Sequence, residues 1–233
     1  MPSGRGANRG WRWHTLHQGN PVSKPLVAVL DYGIGNLRSA QKALIRVGSD
    51  ARLTSDIGLI AEADGVVLPG VGAFGACMKA LHGVGLAGAA VSAAASGRPF
   101  IGICVGMQLL YEGSEESPGI AGLGVLPGQI TRLPSTVKRP QMQWNRLDLI
   151  EPDHPSVAGL GTPWLYFVHS YRAPVDHTTV ATVDYGDAVT AVTARDNVWA
   201  TQCHPEKSSV AGLELLKNWV KTLAPATAET STR

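Results

Sequence analysis

The chain has 233 residues, 44% of them apolar and only 16% charged, which suits one large folded core and excludes a long disordered acidic or basic protein. Its formal charge of +2 arises in the first 24 residues, which hold Arg5, Arg9, Arg12 and Lys24 and no acid; the rest carries 16 bases against 18 acids, so no concentrated basic face argues for nucleic acid as a partner. Three widely spaced cysteines, Cys77, Cys104 and Cys203, form neither a disulfide framework nor a zinc motif and point to a reduced, cytoplasmic setting, while no apolar run reaches the roughly 18 residues of a membrane span.

Residues 1–24 lack apolar periodicity and are rich in Gly, Pro, Arg and Asn. That predicts a disordered leader, and a start-site artefact with the true start near Val22 is one reading of it. Order is expected from "PLVAVLDYG", a buried-strand pattern at Leu26 to Leu30 that ends in a turn. "NLRSAQKALIRVG" predicts a helix with Leu37, Ala40, Leu44 and Val47 on one face and Gly48 as its stop. "ARLTS" and "DGVVLPGVG" predict two further strands, followed by helices near Phe74 to Leu81 and Leu86 to Ser96. "RPFIGIC" is the next strand and "VGMQLLYEG" the next helix. Such alternation implies a parallel sheet covered on both faces.

The second half changes character. Short segments rich in β-branched and aromatic residues, from "GVLPGQITRLP" to "DAVTAVTARDNVWATQCHPE", predict strands separated by Gly, Asp and Asn turns. An amphipathic helix is expected from about Ser208, with Val210, Leu213, Leu216, Val220 and Leu223 facing inward. The expected organisation is a single α/β domain over residues 25–223 and a flexible tail over 224–233.

Three stretches carry candidate chemistry. Gly102-Ile103-Cys104-Val105-Gly106 follows a strand and opens a helix, the G-x-nucleophile-x-G pattern of a sharp elbow. A cysteine there sits at a helix N-terminus, where the dipole favours a thiolate, and the Val105 N–H is placed to bind an oxyanion. A cysteine packed as a small hydrophobe gives the same pentapeptide. In "ATQCHPEKS", Pro205 biases His204 toward an extended backbone, so that His204 and Glu206 face the same way as base and orienting carboxylate. An ordinary solvated turn has the same letters. Cys203 then points to the other face, into the core. In "LPGVGAF", Pro69 to Gly72 ends a strand and offers backbone N–H groups to an anion, although any βα turn reads alike.

Together, "GICVGMQLL", "PGVG" and "HPEKS", in that order and separation, resemble the class I, triad-type glutamine amidotransferases. "DYGIGNLRSAQKAL", "WNR" and "YFVHSYR" narrow the resemblance to the glutaminase subunits of imidazole glycerol phosphate synthase, over about Pro25 to Leu223. The resemblance implies a flavodoxin-like, mixed but mostly parallel sheet flanked by helices. It implies Cys104 as nucleophile, His204 as acid and base, and Glu206 as orienting group, with the Val71 and Val105 N–H groups on the oxyanion. It further implies glutamine contacts from Gly72, Gln108, Ser170 and Tyr171, no cofactor and no metal. The implied partner is a (β/α)₈-barrel cyclase in a heterodimer, met by Asn36, Met142, Gln143, Trp144 and Lys207, which receives the ammonia. Two departures stand out. "PQMQWN" replaces the usual Pro-His-Met-Gly-Trp-Asn, setting Gln143 where glycine is usual, and Cys203 stands where phenylalanine is usual. Another triad glutaminase, such as that of vitamin B6 synthesis, and a catalytically silent partner-binding subunit are the alternatives; "YFVHSYR" and "WNR" argue against the first and the intact triad against the second.

Overall fold

The computed structural model describes residues 23–223, so the expected leader (apart from Ser23 and Lys24) and the tail 224–233 lie outside the described residues. The first half runs β1 (Leu26–Leu30), α1 (Leu37–Arg46), β2 (Asp50–Thr54), α2 (Ile57–Glu62), β3 (Gly65–Gly70), α3 (Phe74–Gly83), α4 (Leu86–Ala95), β4 (Phe100–Cys104) and α5 (Val105–Leu109). The second half runs β5 (Gly113–Ser114), β6 (Gln129–Arg132), β7 (Gln141–Arg146), β8 (Asp148–Leu149), β9 (Trp164–His169), β10 (Tyr171–Arg172), β11 (Thr179–Asp184), β12 (Ala188–Arg195), β13 (Val198–Thr201) and α6 (Ser209–Val220).

Eight strands form the main sheet in the order β2-β1-β3-β4-β13-β12-β11-β8. Pairings from β2 through to β13 are parallel, and those beyond it are antiparallel. The expected mixed sheet is therefore split into a parallel half built from the N-terminal alternation and an antiparallel half built from the C-terminal strands. Residues of β3 and β4 are buried throughout, as a strand covered on both faces requires. Chain crossover from β4 to the distant β13 sets Cys104 and the segment after Thr201 at the same sheet end, where ligands bind in doubly wound folds.

Three helical details differ from the sequence reading. α2 was not foreseen; Asp56 caps it by accepting from the Gly58 and Leu59 N–H groups. The helix expected after Cys104 closes at Leu109, well short of Gly113. In α6, Leu216 and Val220 face inward as expected, Leu223 just beyond it is buried and Leu213 packs against the core, but Gly212, Leu215 and Trp219 join the buried face and Val210 is 76% exposed. A Cβ on Gly212 would lie 2.0 Å from the Pro205 carbonyl oxygen, so the first turn of the helix is docked through its glycine and Val210 is left outside the buried face.

β7 and β9 form a separate antiparallel ribbon with Met142 opposite Val168, Trp144 opposite Tyr166 and Arg146 opposite Trp164. Alternation puts these six on one face and Gln141, Gln143, His169 and Phe167 on the other. Met142, Trp144 and Trp164 are exposed by 63%, 45% and 55%. Tyr166 supports Trp144 edge-on, with ring centroids 6.1 Å apart.

Candidate active site

β4 passes into α5 with no intervening residue, and Cys104 makes the turn at φ 56°, ψ −113°. A side chain in this region is strained and persists where its surroundings over-determine it. The surroundings here are two glycine contacts. A Cβ on Gly106 would sit 1.8 Å from the Leu68 carbonyl oxygen, and one on Gly102 would sit 2.9 Å from the Gly106 carbonyl oxygen. α5 thus lies directly on β3, and Cys104 is the residue at the corner.

His204 follows β13 with extended φ −101°, ψ 90°, and its backbone N–H donates to Tyr166 O of the ribbon. The sequence reading had an extended strand carry Glu206 beside it. Instead Pro205–Lys207 is a turn of 3₁₀ helix, which folds Glu206 back onto the imidazole. The expected contact forms by this other route: His204 Nδ1 lies 2.8 Å from Glu206 Oε1, and both side chains are 2% exposed. Asn36 Nδ2 donates to the same oxygen at 3.2 Å. Burial disfavours the imidazolium, but the hydrogen bonds and negative charge of the Cys104 thiolate and the Glu206 carboxylate beside it outweigh burial and raise the His204 pKa to about 10. Nδ1 is committed to Glu206, so Nε2 is left for the cysteine.

A cleft of about 540 Å³ opens over Cys104 and His204, and Val71, Gly72, Val105, Gln108, Ser170 and Tyr171 all line it. Gly70 pairs with Cys104 at the last rung of the β3–β4 ladder, so Val71 and Val105 leave adjacent strand ends side by side. The cleft also takes in Asn36 and Lys207, two of the expected partner contacts. Met142, Gln143 and Trp144 are not part of it; they lie on the ribbon whose Val168 and His169 form its wall. Gln143 is exposed on the ribbon face opposite to Met142 and Trp144, and Gln141 is buried across from His169.

Four groups were missed by the sequence reading, Glu116 and His169 lining the cleft and Gln202 and Tyr32 behind it. Glu116 lines it with one carboxylate oxygen, Oε2, fixed by the Phe74 N–H at 2.7 Å. His169 is buried, donates Nδ1–H to the Tyr171 carbonyl at 2.8 Å, and is held neutral because burial drops its pKa to about 4. Gln202 is fully buried behind Cys104. Tyr32 donates to the Pro69 carbonyl at 2.6 Å and braces the end of β3. Only Gln202 carried a sequence signal, since it precedes His204 by two in the extended segment after β13. Cys203 points the other way, fully buried, with its sulfur 2.9 Å from Thr201 Oγ1 and its thiol pushed up to about 12 by burial. Among the described residues no His, Cys, Asp and Glu cluster has the geometry of a metal site.

Chemically, a cysteine at a helix N-terminus facing an imidazole fixed by a carboxylate is equipped for nucleophilic attack on an acyl carbon, with proton transfer to the leaving group. Comparisons with known proteins agree with that chemistry. The family model described as "Glutamine amidotransferase class-I" matches residues 28–223. The imidazole glycerol phosphate synthase subunit HisH of Synechococcus elongatus is 50% identical over 215 residues, covering 90% of this chain and 99% of that one. The subunit of the same name from Methanothermobacter thermautotrophicus is 46% identical over 199 residues, covering 85% and 99%. A crystal structure of a glutamine amidotransferase superposes with a TM-score of 0.66 at 21% identity, covering 83% of this chain and 98% of that one.

Proposed function

The chain belongs to the class I glutamine amidotransferase family, and from that premise we propose that it is the glutaminase subunit of an imidazole glycerol phosphate synthase. It hydrolyses L-glutamine to L-glutamate and ammonia, and the ammonia passes to a cyclase subunit that forms imidazole glycerol phosphate and AICAR in histidine biosynthesis. The observation that carries the reading is the strained Cys104 corner facing the buried His204–Glu206 pair.

The thiolate of Cys104 attacks the γ-carboxamide carbon of glutamine. His204 gives its proton to the departing nitrogen, ammonia leaves and a glutamyl thioester remains. Water then attacks the thioester with His204 as base, and glutamate leaves. Val71 and Val105 N–H groups are assigned to the oxyanion in both steps. Gly72, Gln108, Ser170 and Tyr171 hold the substrate, and the Glu116 carboxylate suits its α-ammonium group. Glutamate release, measured with and without the cyclase and its nucleotide ligand, tests the reading; silence of the wild-type protein under both conditions sinks it.

The His204 proton is bound up to about pH 10 because of its two anionic neighbours. Turnover is therefore expected to hold through neutral pH and to fall as pH rises toward that value. Glu206→Gln removes the carboxylate charge, so the alkaline limb moves to lower pH along with a drop in rate. A limb that stays in place in the variant contradicts the assigned role of Glu206.

The cyclase is assigned to the ribbon face next to the cleft, where Met142, Trp144 and Trp164 expose large apolar surface. A barrel docked there receives ammonia without its release into water. Trp144→Ala is expected to weaken cyclase binding by about 2 kcal/mol, roughly 30-fold in Kd, as for a central aromatic anchor. Titration calorimetry with the cyclase reads it, and an unchanged Kd removes Trp144 from the interface. A cytoplasmic location accords with this assignment, and no helix of the described residues is long and apolar enough to cross a membrane.

A further inference from the structure

From the Tyr171 carbonyl in the cleft wall, a file of buried carboxamides runs behind Cys104. Tyr171 O accepts from Gln108 Nε2 at 3.1 Å and lies 2.8 Å from His169 Nδ1. Gln108 Nε2 also donates to Gln202 Oε1 at 3.0 Å, and Gln202 Nε2 reaches Cys104 Sγ at 3.8 Å. Gln108 is 3% exposed and Gln202 fully buried.

The direction of this file is fixed by its end. A carboxamide has chemically opposite faces that swap by a half turn, so its orientation is set by its partners. The Tyr171 carbonyl is an acceptor without exception, so Gln108 must present its NH₂ there. The second hydrogen of that NH₂ then points at Gln202, which must answer with oxygen. Gln202 is left with its own NH₂ toward the sulfur. The reversed arrangement would aim a carbonyl oxygen at the nucleophile and break the hydrogen bond from Gln108.

We propose that Gln202 is a catalytic residue: its carboxamide N–H is a fixed donor to the Cys104 sulfur, and it favours the thiolate over the thiol. Gln108 is the positioning residue that holds the donor in place. A hydrogen bond to a buried charged atom is stronger than one to a neutral atom, and here its cost of ordering is already met by packing. The other titratable groups around the sulfur are His204 and Glu206 after β13, Cys203 beside them, Tyr32 after β1 and Cys77 on α3. His204 supplies charge to the sulfur from the cleft side, and Gln202 supplies a neutral dipole that does not titrate. The inference deepens the glutaminase reading and rests on it for the catalytic consequence, though not for the contact itself.

The test is the rate of alkylation by iodoacetamide against pH, read by intact mass on the full chain. Cys77 and Cys203 are buried with raised thiol pKa values, and Cys104→Ser supplies their background. For Gln202→Leu the alkylation curve is expected to move to higher pH by about one unit, a tenfold loss of thiolate at a given pH below the midpoint. Gln202→Glu, which keeps the shape and replaces the donor by carboxylate oxygen, moves it further. Gln108→Leu frees the Gln202 carboxamide to turn and gives a smaller shift in the same direction, which also covers the case in which a Gln202 variant does not fold. Curves of folded variants that superpose on the wild type overturn the proposal. Glutamate release by the same proteins is scored separately, so a wrong substrate and a wrong role for Gln202 give different results.

Discussion

Cys104→Ala will abolish glutamate release while the protein stays folded, and Cys104→Gly will be equally inactive but more stable than the alanine variant. The first half follows from covalent chemistry: without sulfur no thioester forms, and turnover falls by about 10⁴-fold or more. The second half follows from the corner. At φ 56°, ψ −113° any Cβ is strained, and alanine keeps one. Strain of this kind costs roughly 1–3 kcal/mol, whereas the extra freedom of glycine in the unfolded chain costs roughly 0.5–1 kcal/mol. The difference leaves the glycine variant ahead by about 1 kcal/mol, or about 2–4 °C in Tm for a domain of this size. Scanning calorimetry of the two variants decides it. A glycine variant that melts at or below the alanine variant shows that the corner stores no strain, and glutamate release above background in either removes Cys104 as nucleophile.

Among the glycines of the described residues, Gly106→Ala makes the closest backbone clash. Its Cβ would lie 1.8 Å from the Leu68 carbonyl oxygen, 2.8 Å from the Leu68 carbonyl carbon and 3.1 Å from the Pro69 carbonyl carbon. These are backbone atoms of a central strand, so no rotamer change relieves the clash. α5 has to lift off β3, and the cysteine corner lifts with it. A loss of at least about 3 kcal/mol is expected, beyond the usual cost of overpacking because the neighbour is main chain. Gly88→Ala is the matched control. It lies inside α4 with nothing within 4 Å of the added Cβ, and it is expected to gain about 0.5–1 kcal/mol. Denaturant titrations of the pair read both signs, and a Gly106→Ala protein as stable as the wild type would falsify the close packing of α5 on β3.

The difference between those two glycines also separates what a sequence tells from what it withholds. Gly102 and Gly106 were legible because their spacing about a cysteine, after an apolar strand, has a local steric cause. The same holds for the βα alternation of the first half, where each strand and helix declares its own period. Long-range docking left no such mark. The first turn of α6 is docked by contact between Gly212 and Pro205, so leucine spacing placed Val210 inside when it is exposed. α2 is six residues long and depends on Asp56 for its start, too short for a period to emerge. His204 and Glu206 do meet, but through a 3₁₀ turn that the i, i+2 rule does not describe. Glu116 lies in the turn after β5, His169 ends β9 and Gln202 follows β13, and the sheet order is what brings the first two to the cleft wall and the third behind Cys104. Trp144 is exposed, where its amphipathic character alone would equally have allowed the core.

That sheet order sets a schedule. β4, which ends in Cys104, pairs on one side with β3 and on the other with β13, whose strand is made almost a hundred residues later. During synthesis the N-terminal parallel layers can collapse while the seat beside β4 still waits for its occupant. Until Val198–Thr201 fills it, the growing chain has a sulfur but no imidazole, no orienting carboxylate and no Gln202. A polypeptide halted before β13, or nicked and stripped of it, is therefore expected to release no glutamate. On the proposed assignment, glutaminase activity is expected only once Val198–Thr201 and the segment after it are in place beside β4.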